Sequence, residues 1–363
     1  MIHHLLRCIA SAGFVFLLYG APAALASEAL AVPAAGTAQV PHIALLLPIK
    51  SRIFGRHASA LRDGFQAAAK LQGRTVLPVR EYAVSEDIGQ VLAGYRAAVA
   101  AGAQVIIGPL TRDAVTALAF GEPVPVPTLA LNAPDSTGRA PGNLYVLTLQ
   151  VDTEARQAAQ LAWREGRRNA VIISGGIPVQ RRMQAAFASE FARLGGAVTD
   201  AAYSADSDRL KSIARNSTSA DMYFLALDYA EARAARAFLG ATPIYATSSV
   251  HMGDPGPLAG FDLAGVNFVD MPWLLDLRHA AVMIYPRPNP RGTADLERLY
   301  ALGIDAWRVA QLLLAGARDI RLDGVTGQLS LGPDGHIERE LLAGRYIDGR
   351  PQLAESASRE PAR

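Results

Sequence analysis

From residue 42 onward the chain repeats one unit, a short apolar run followed by a stretch whose apolar positions recur every three to four residues. The apolar runs fall at 43–47, 76–82, 104–107, 128–131 and 144–149, and again at 169–174, 197–203, 222–227, 244–247 and 266–271. Runs this short, bounded by turn residues, predict strands buried on both faces. Between them Ile88, Val91, Leu92, Tyr95 and Val99 keep the spacing of one helix face. Phe187, Phe191 and Leu194 do the same over 183–194, and Gly195-Gly196 ends that helix. Strand–helix alternation at roughly 30 residues per unit predicts parallel sheets covered by helices on both faces. Ten strands are too many for one such sheet, and they divide five and five around Gln150. The pattern therefore predicts an α/β protein of two doubly wound parallel-sheet lobes with a cleft between them.

The C-terminal part breaks the alternation. Residues 293–318 read as one long helix, with Leu296, Leu299, Tyr300, Ile304, Trp307 and Leu312 to Leu314 apolar. Residues 327–337 alternate around Pro333-Asp334-Gly335, which predicts a hairpin. The N-terminus is different again. A basic Arg7, a mostly apolar stretch at 8–18 and Ala24-Leu25-Ala26 before Ser27 predict a signal peptide over 1–26. A membrane span needs ~20 apolar residues, and Gly13, Gly20 and Pro22 interrupt this stretch. Residues 27–41, rich in Ala, Pro and Gly, predict a flexible leader. The expectation is a soluble exported protein, cleaved near Ala26 and without a transmembrane segment thereafter. The single cysteine, Cys8, follows Arg7 at the start of the apolar run, which is not the setting of a lipid-attachment cysteine. Neither a lipid anchor nor a disulfide is expected of the mature chain.

Composition narrows the function. Of 363 residues half are hydrophobic and 19% charged, and 35 basic against 33 acidic residues give a net charge of +2. That balance offers no basic field for nucleic acid. The phosphate-binding glycine motifs, the Gly-x-Ser-x-Gly elbow and the Ser-x-x-Lys pair are all missing. His42, His57, His251, His279 and His336 include no pair at metal-binding helical spacing. Asp206 and Asp208 read as a solvated loop and helix cap, with acid–base chemistry the alternative. No catalytic residue, metal or cofactor is assigned, and the expectation is a protein that is not an enzyme.

What an open α/β sheet offers without catalysis is a crevice at the carboxyl ends of its strands. Gly108 to Thr111 follow one strand, and Thr111 can cap a helix beginning at Arg112, a setting that suits plain capping or a bound carboxylate. Asn132 closes the next strand, and Ser174-Gly175-Gly176 closes the first strand of the second lobe. Small residues there suit either a ligand or a tight turn. Lys50, Ser51, Asp228, Thr247 and Ser248, also at strand ends, complete the cleft-lining candidates.

Several strings resemble a known family. Ile43-Ala-Leu-Leu-Leu-Pro48 with Leu61-Arg-Asp-Gly-Phe65, then Val105-Ile-Ile-Gly-Pro-Leu-Thr-Arg-Asp-Ala-Val115 and Pro127-Thr-Leu-Ala-Leu-Asn132, are similar to the LppC family of LpoA-like penicillin-binding protein activators. So are Phe224-Leu-Ala-Leu-Asp228, Ile244-Tyr-Ala-Thr-Ser248 and, most specifically, Gly265-Val-Asn-Phe-Val-Asp-Met-Pro-Trp-Leu-Leu275 with Leu299-Tyr-Ala-Leu-Gly-Ile-Asp-Ala-Trp307. These cover nearly all of 42–353 in order, matching the C-terminal domain of such activators. The resemblance implies the type I periplasmic-binding-protein fold. On it the chain divides into lobe 1 at 42–149 plus 274–335, lobe 2 at 150–273 plus 336–353, and a disordered tail at 354–363.

The resemblance also implies a role, non-enzymatic stimulation of a bifunctional class A penicillin-binding protein, the peptidoglycan synthase, by protein contact. The alternative is a solute-binding protein that delivers an amino acid or muropeptide-like ligand from the cleft to an ABC transporter. Family members of the LpoA type carry a lipid anchor and a helical-repeat domain ahead of this one, and the first βα loop here, with Lys50-Ser51, departs from their pattern. Docking candidates are Trp273, with core packing as its alternative, and Arg287 and Arg291 in a loop broken by Pro286, Pro288 and Pro290. On this reading Gly108→Trp blocks a small ligand and leaves the synthase contact intact.

Overall fold

A computed structural model describes residues 39–71, 77–135, 138, 140–253 and 260–354. The expected signal peptide, most of the leader and all but the first residue of the expected tail lie outside the described residues. The chain begins β1 (His42–Leu47), α1 (Gly55–Leu71), β2 (Val79–Ala83), α2 (Ile88–Ala100), β3 (Ala103–Ile107), α3 (Arg112–Gly121), β4 (Thr128–Ala130) and β5 (Leu144–Leu147). It continues α4 (Val151–Arg164), β6 (Asn169–Ser174), α5 (Pro178–Arg193), β7 (Ala197–Ala202), α6 (Ser207–Asn216), β8 (Met222–Ala226), α7 (Tyr229–Arg236), β9 (Ile244–Ala246) and β10 (Val266–Asp270). Two single turns, α8 (Pro272–Leu275) and α9 (Ala280–Met283), lead to α10 (Ala294–Leu314). Five strands end in β11 (Arg321–Asp323), β12 (Gln328–Leu331), β13 (His336–Glu340), β14 (Leu342–Ile347) and β15 (Arg350–Leu353).

The strands form two sheets, β11-β12-β13-β5-β4-β3-β1-β2 and β15-β14-β10-β9-β8-β6-β7. All ten expected strands are present and pair in parallel in two groups of five, as the apolar runs predict. Each group is doubly wound, with β1 flanked by β2 and β3, and β6 by β7 and β8. The expected hairpin is β12 and β13, paired from Leu331↔Ile337 to Gln328↔Glu340. β13 then pairs in parallel with β5, so 336–340 belong to the first sheet, and the chain passes to the second sheet at Leu341 rather than at 335. Sheet pairing decides this, because the hairpin keeps both of its strands together.

Helices cover both faces of both sheets, which is why the strands are apolar throughout. α1 and α10 share one core with Leu45, Ile107 and Leu147, while α2 and α3 cover Leu46, Ile106 and Val146 on the opposite face. In the second sheet α7 packs over Ile173 and Leu225, and α4 and α5 over Ile172 and Phe224. α1 and α10 approach closely through two glycines: a Cβ on Gly64 would lie 1.9 Å from the Tyr300 carbonyl oxygen, and one on Gly303 2.0 Å from that of Leu61. Asp206 caps α6 by accepting the Asp208 N–H, and Asp208 pairs with Lys211 at 3.1 Å, the cap-and-loop role expected of them.

Candidate functional site

The chain crosses between the sheets three times, after β5, after β10 and after β13. Beside the first crossing lies a cavity of ≈ 550 Å³, lined by Leu149, Val151 and Glu154, by Asp228 and Tyr229 after β8, by Ser248, Ser249 and Met252 after β9, and by Asp295, Arg298 and Leu299 on α10. Among the ten cleft candidates only Asp228 and Ser248 line it.

The other eight do not line that cavity, and several are engaged within the fold. Lys50 is exposed. The Ser51 hydroxyl accepts the N–H groups of Ile53 and Phe54 and shapes the entry to α1. Gly108 has φ +112°, and a Cβ there would lie 2.0 Å from the Leu46 carbonyl oxygen. Gly108→Trp would therefore break the β1–β3 packing instead of plugging a crevice. Thr111 stands at the N-cap of α3, but its side chain makes no capping bond. Asn132 ties two loops together, donating to the Leu110 carbonyl at 3.2 Å and accepting from Ala133 N–H at 3.0 Å. Ser174 donates to Gln184 at 2.6 Å, and Gly175 leaves room for the Gln180 side chain. Thr247 is buried and donates to Ser249 Oγ at 2.9 Å.

Behind the cavity stands a buried ionic network that the sequence pattern did not expose. Arg298, on a helix packed in the first lobe's core, donates through Nη2 to Asp270 Oδ2 at 2.8 Å and to the carbonyls of His251 at 2.8 Å and Ser248 at 3.1 Å. All three partners belong to the ends of β9 and β10 in the second sheet. His251 Nδ1 meets Asp270 Oδ2 at 2.7 Å, and Asp270 Oδ1 accepts the Met271 N–H at 2.8 Å. Glu154 Oε2 accepts from Ser248 through N–H at 3.1 Å and Oγ at 2.7 Å. Arg339, also buried, donates to the carbonyls of Thr148 at 2.9 Å and Thr326 at 3.0 Å. The two lobes are thus tied at their crossings by charge-assisted bonds removed from water.

Burial disfavours the charge on Asp270, but Arg298 and His251 outweigh it and hold the carboxyl at about 2. Burial likewise works against Arg298, and Asp270 and Glu154 outweigh it, so its pKa is raised. Glu154 goes the other way: burial and then the Asp270 charge raise it, against the pull of Arg339 and Ser248. A sequence signal for these residues exists, a charge inside an apolar helix face, as with Glu154 in line with Ala158 and Leu161 or Arg298 in line with Ala294, Ala301 and Leu302.

Every charged side chain lining the cavity is already bonded within the protein. Glu154 and Arg298 serve the network, Asp295 accepts from Arg298 Nη1 at 3.0 Å, and Asp228 forms a capping box with Glu231 on α7. Among the described residues no group of three or more His, Cys, Asp or Glu is placed to hold a metal, and no helix is long and apolar enough to cross a membrane.

Trp273, a docking candidate on the sequence, is fully buried in the first core, which is its core-packing alternative. Its indole N–H donates to Glu297 Oε2 at 2.8 Å, and Arg287 lies over its ring at 3.7 Å. Arg287 also approaches Glu297 at 3.4 Å and is half-buried, whereas Arg291 keeps 60% of its side chain exposed.

The model of the family described as "LppC putative lipoprotein" matches residues 21–217 and 208–349. A relative named "Penicillin-binding protein activator LpoA", from Glaesserella parasuis serovar 5, is 28% identical over 327 residues, covering 86% of this chain and 54% of that protein. The chain thus spans about half the length of the curated relatives it matches. Among solved structures, the LpoA C-domain from Haemophilus influenzae, described as a regulator of PBP1A, superposes with a TM-score of 0.73 at 24% identity, over 86% of this chain and all of that one. A "putative branched-chain amino acid ABC transporter" from Chromobacterium violaceum is 42% identical with a TM-score of 0.72, over 84% of this chain and 99% of that one. The two-lobed type I periplasmic-binding-protein architecture is common to these structures and this chain.

Proposed function

The chain belongs to the LppC family, and from that premise we propose that it is a non-enzymatic periplasmic activator of a bifunctional class A penicillin-binding protein, acting by protein contact. Relatives that carry the activator name align with most of this chain, which supports the role for this domain. Physically, activation needs only a surface that binds one conformation of the synthase better than another. A body whose lobes are tied at their crossings is suited to that task, because docking has less hinge freedom to freeze.

Solute delivery is the second reading, favoured by the name of the 42% identical transporter structure. The observation that carries the activator reading over it is the state of the cavity. An amino acid presents an ammonium and a carboxylate, and a site for it needs unengaged charged partners. Here Glu154, Asp228, Asp295 and Arg298 are all engaged by the protein itself. Closure of the lobes around a solute would also work against the Arg298 bonds that tie them.

The test is a glycan-polymerisation assay with a purified class A synthase, with and without the full chain. The expected result is a faster synthase and retention of the synthase on the immobilised chain. Absence of both, together with calorimetric binding of leucine, would replace this reading with solute delivery.

A further inference from the structure

The first crossing has a second side. Leu149 and Val151 face the cavity, while Thr148 and Gln150 line a separate groove of ≈ 780 Å³ between α4 and the exposed face of β12 and β13. We propose that this groove is where the synthase docks, receiving an extended segment that is basic along one edge and acidic along the other. The inference rests on the activator reading and names the face it uses.

The unpaired charges on the two walls are of opposite sign, since on the sheet wall Arg321 already pairs with Asp319 at 3.5 Å and His336 with Asp334 at 3.0 Å. Arg156 and Arg164 project from α4, eight residues or ~12 Å apart along the axis at ~1.5 Å per residue. Glu338 and Glu340 stand on one face of β13, two residues or ~7 Å apart. All four are exposed. The side chains of Arg164, Glu338 and Glu340 make no hydrogen bond or ion pair among the described residues. Arg156 makes none either and lies near Glu190, whose carboxylate Arg193 and Gln160 already bond. Charges left unpaired on both walls contrast with the cavity, where every charged group is engaged.

The walls are tied to each other at one point. Gln157, between the two arginines on α4, donates to the Arg339 carbonyl at 2.7 Å and accepts the Leu341 N–H at 2.8 Å. That pins α4 to the third crossing and fixes the two walls relative to each other at this point, while the charges farther out on each wall are left unpaired. The ~7 Å repeat of Glu338 and Glu340 matches alternate side chains of an extended segment, which is why the occupant is a strand-like stretch with Lys or Arg toward β13 and Asp or Glu toward α4.

The test uses the full chain and a detergent-solubilised class A synthase in surface plasmon resonance. R156E/R164E and E338K/E340K reverse one wall each at exposed positions. Each is expected to weaken binding by about tenfold or more, with wild-type affinity falling as salt rises. If the wild type binds and both variants bind as well as it does, the groove is not the docking face and the activator reading survives. If reversal of only one wall matters, the two-edged segment is wrong. If the wild type does not bind at all, the activator reading fails and the groove proposal with it.

Discussion

Replacing Arg298 with methionine keeps most of the side-chain volume and removes the cation from a pocket where Asp270 is 1% exposed. An unpaired buried carboxylate remains, so Arg298→Met is expected to cost about 3–5 kcal/mol in urea unfolding, and Arg298→Met with Asp270→Asn to recover part of it. Acid acts on the same residue. Asp270 is held at about 2 against an ordinary 3.8. The stability it contributes is therefore complete above 3.8 and is lost as pH falls through about 2. Glu154 has the opposite sign: its folded pKa is raised above 4.5, so the folded state binds the extra proton and stability falls as pH rises through that raised value. Glu154→Gln keeps an acceptor for Ser248 and is expected to flatten this part of the pH dependence, read as melting temperature from mildly acidic to neutral pH. Trp273 shows why residue type alone misleads. An indole beside two leucines suits a docking anchor or a core, and the Glu297 acceptor, 24 positions away, is what allows burial with its N–H bonded.

At the scale of elements, the α1–α10 pair sets where the network can form, because α10 carries Arg298. Gly64 and Gly303 let the two helices come together until a Cβ would strike backbone oxygen at about 2 Å. Gly64→Ala and Gly303→Ala are each expected to destabilise by about 2 kcal/mol or more in urea unfolding, whereas Gly121→Ala, at the end of α3 with nothing within 4 Å, is expected to be neutral or slightly stabilising. Arg339 on β13 does a similar service at the third crossing, where its bonds to Thr148 and Thr326 join the first crossing to the β11–β12 turn.

At the scale of the whole molecule, three crossings and one buried network tie the two lobes together. A binder that closes around its ligand compacts, and small-angle scattering reads that as a smaller radius of gyration. The full chain is expected to show the same radius with and without leucine in millimolar excess, and a measurable compaction would mean that the Arg298 tie yields on binding. Such a tie suits the proposed role, since less of the free energy of contact would go into ordering the chain.

The ten parallel strands, the long helix of 294–314 and the hairpin around Asp334 were legible in the chain because burial on two faces, on one face or on alternate residues each leaves its own local period. The family strings were legible too, since they span nearly the whole folded region. Less could be read of the site. Strand ends mark where a crevice forms, yet Ser51, Asn132 and Ser174 turn out to bond the protein's own loops. β14 and β15 join the second sheet by antiparallel pairing, a choice made by neighbouring strands and not by their own pattern. Glu154 and Ser248 lie 94 residues apart and Arg298 and Asp270 28 apart. Their meeting, and the gathering of Arg164 and Glu340 at one groove, belong to the tertiary structure alone. Local pattern records what each segment must bury, whereas long-range charge pairing is decided only when topology brings distant segments to the same crossing.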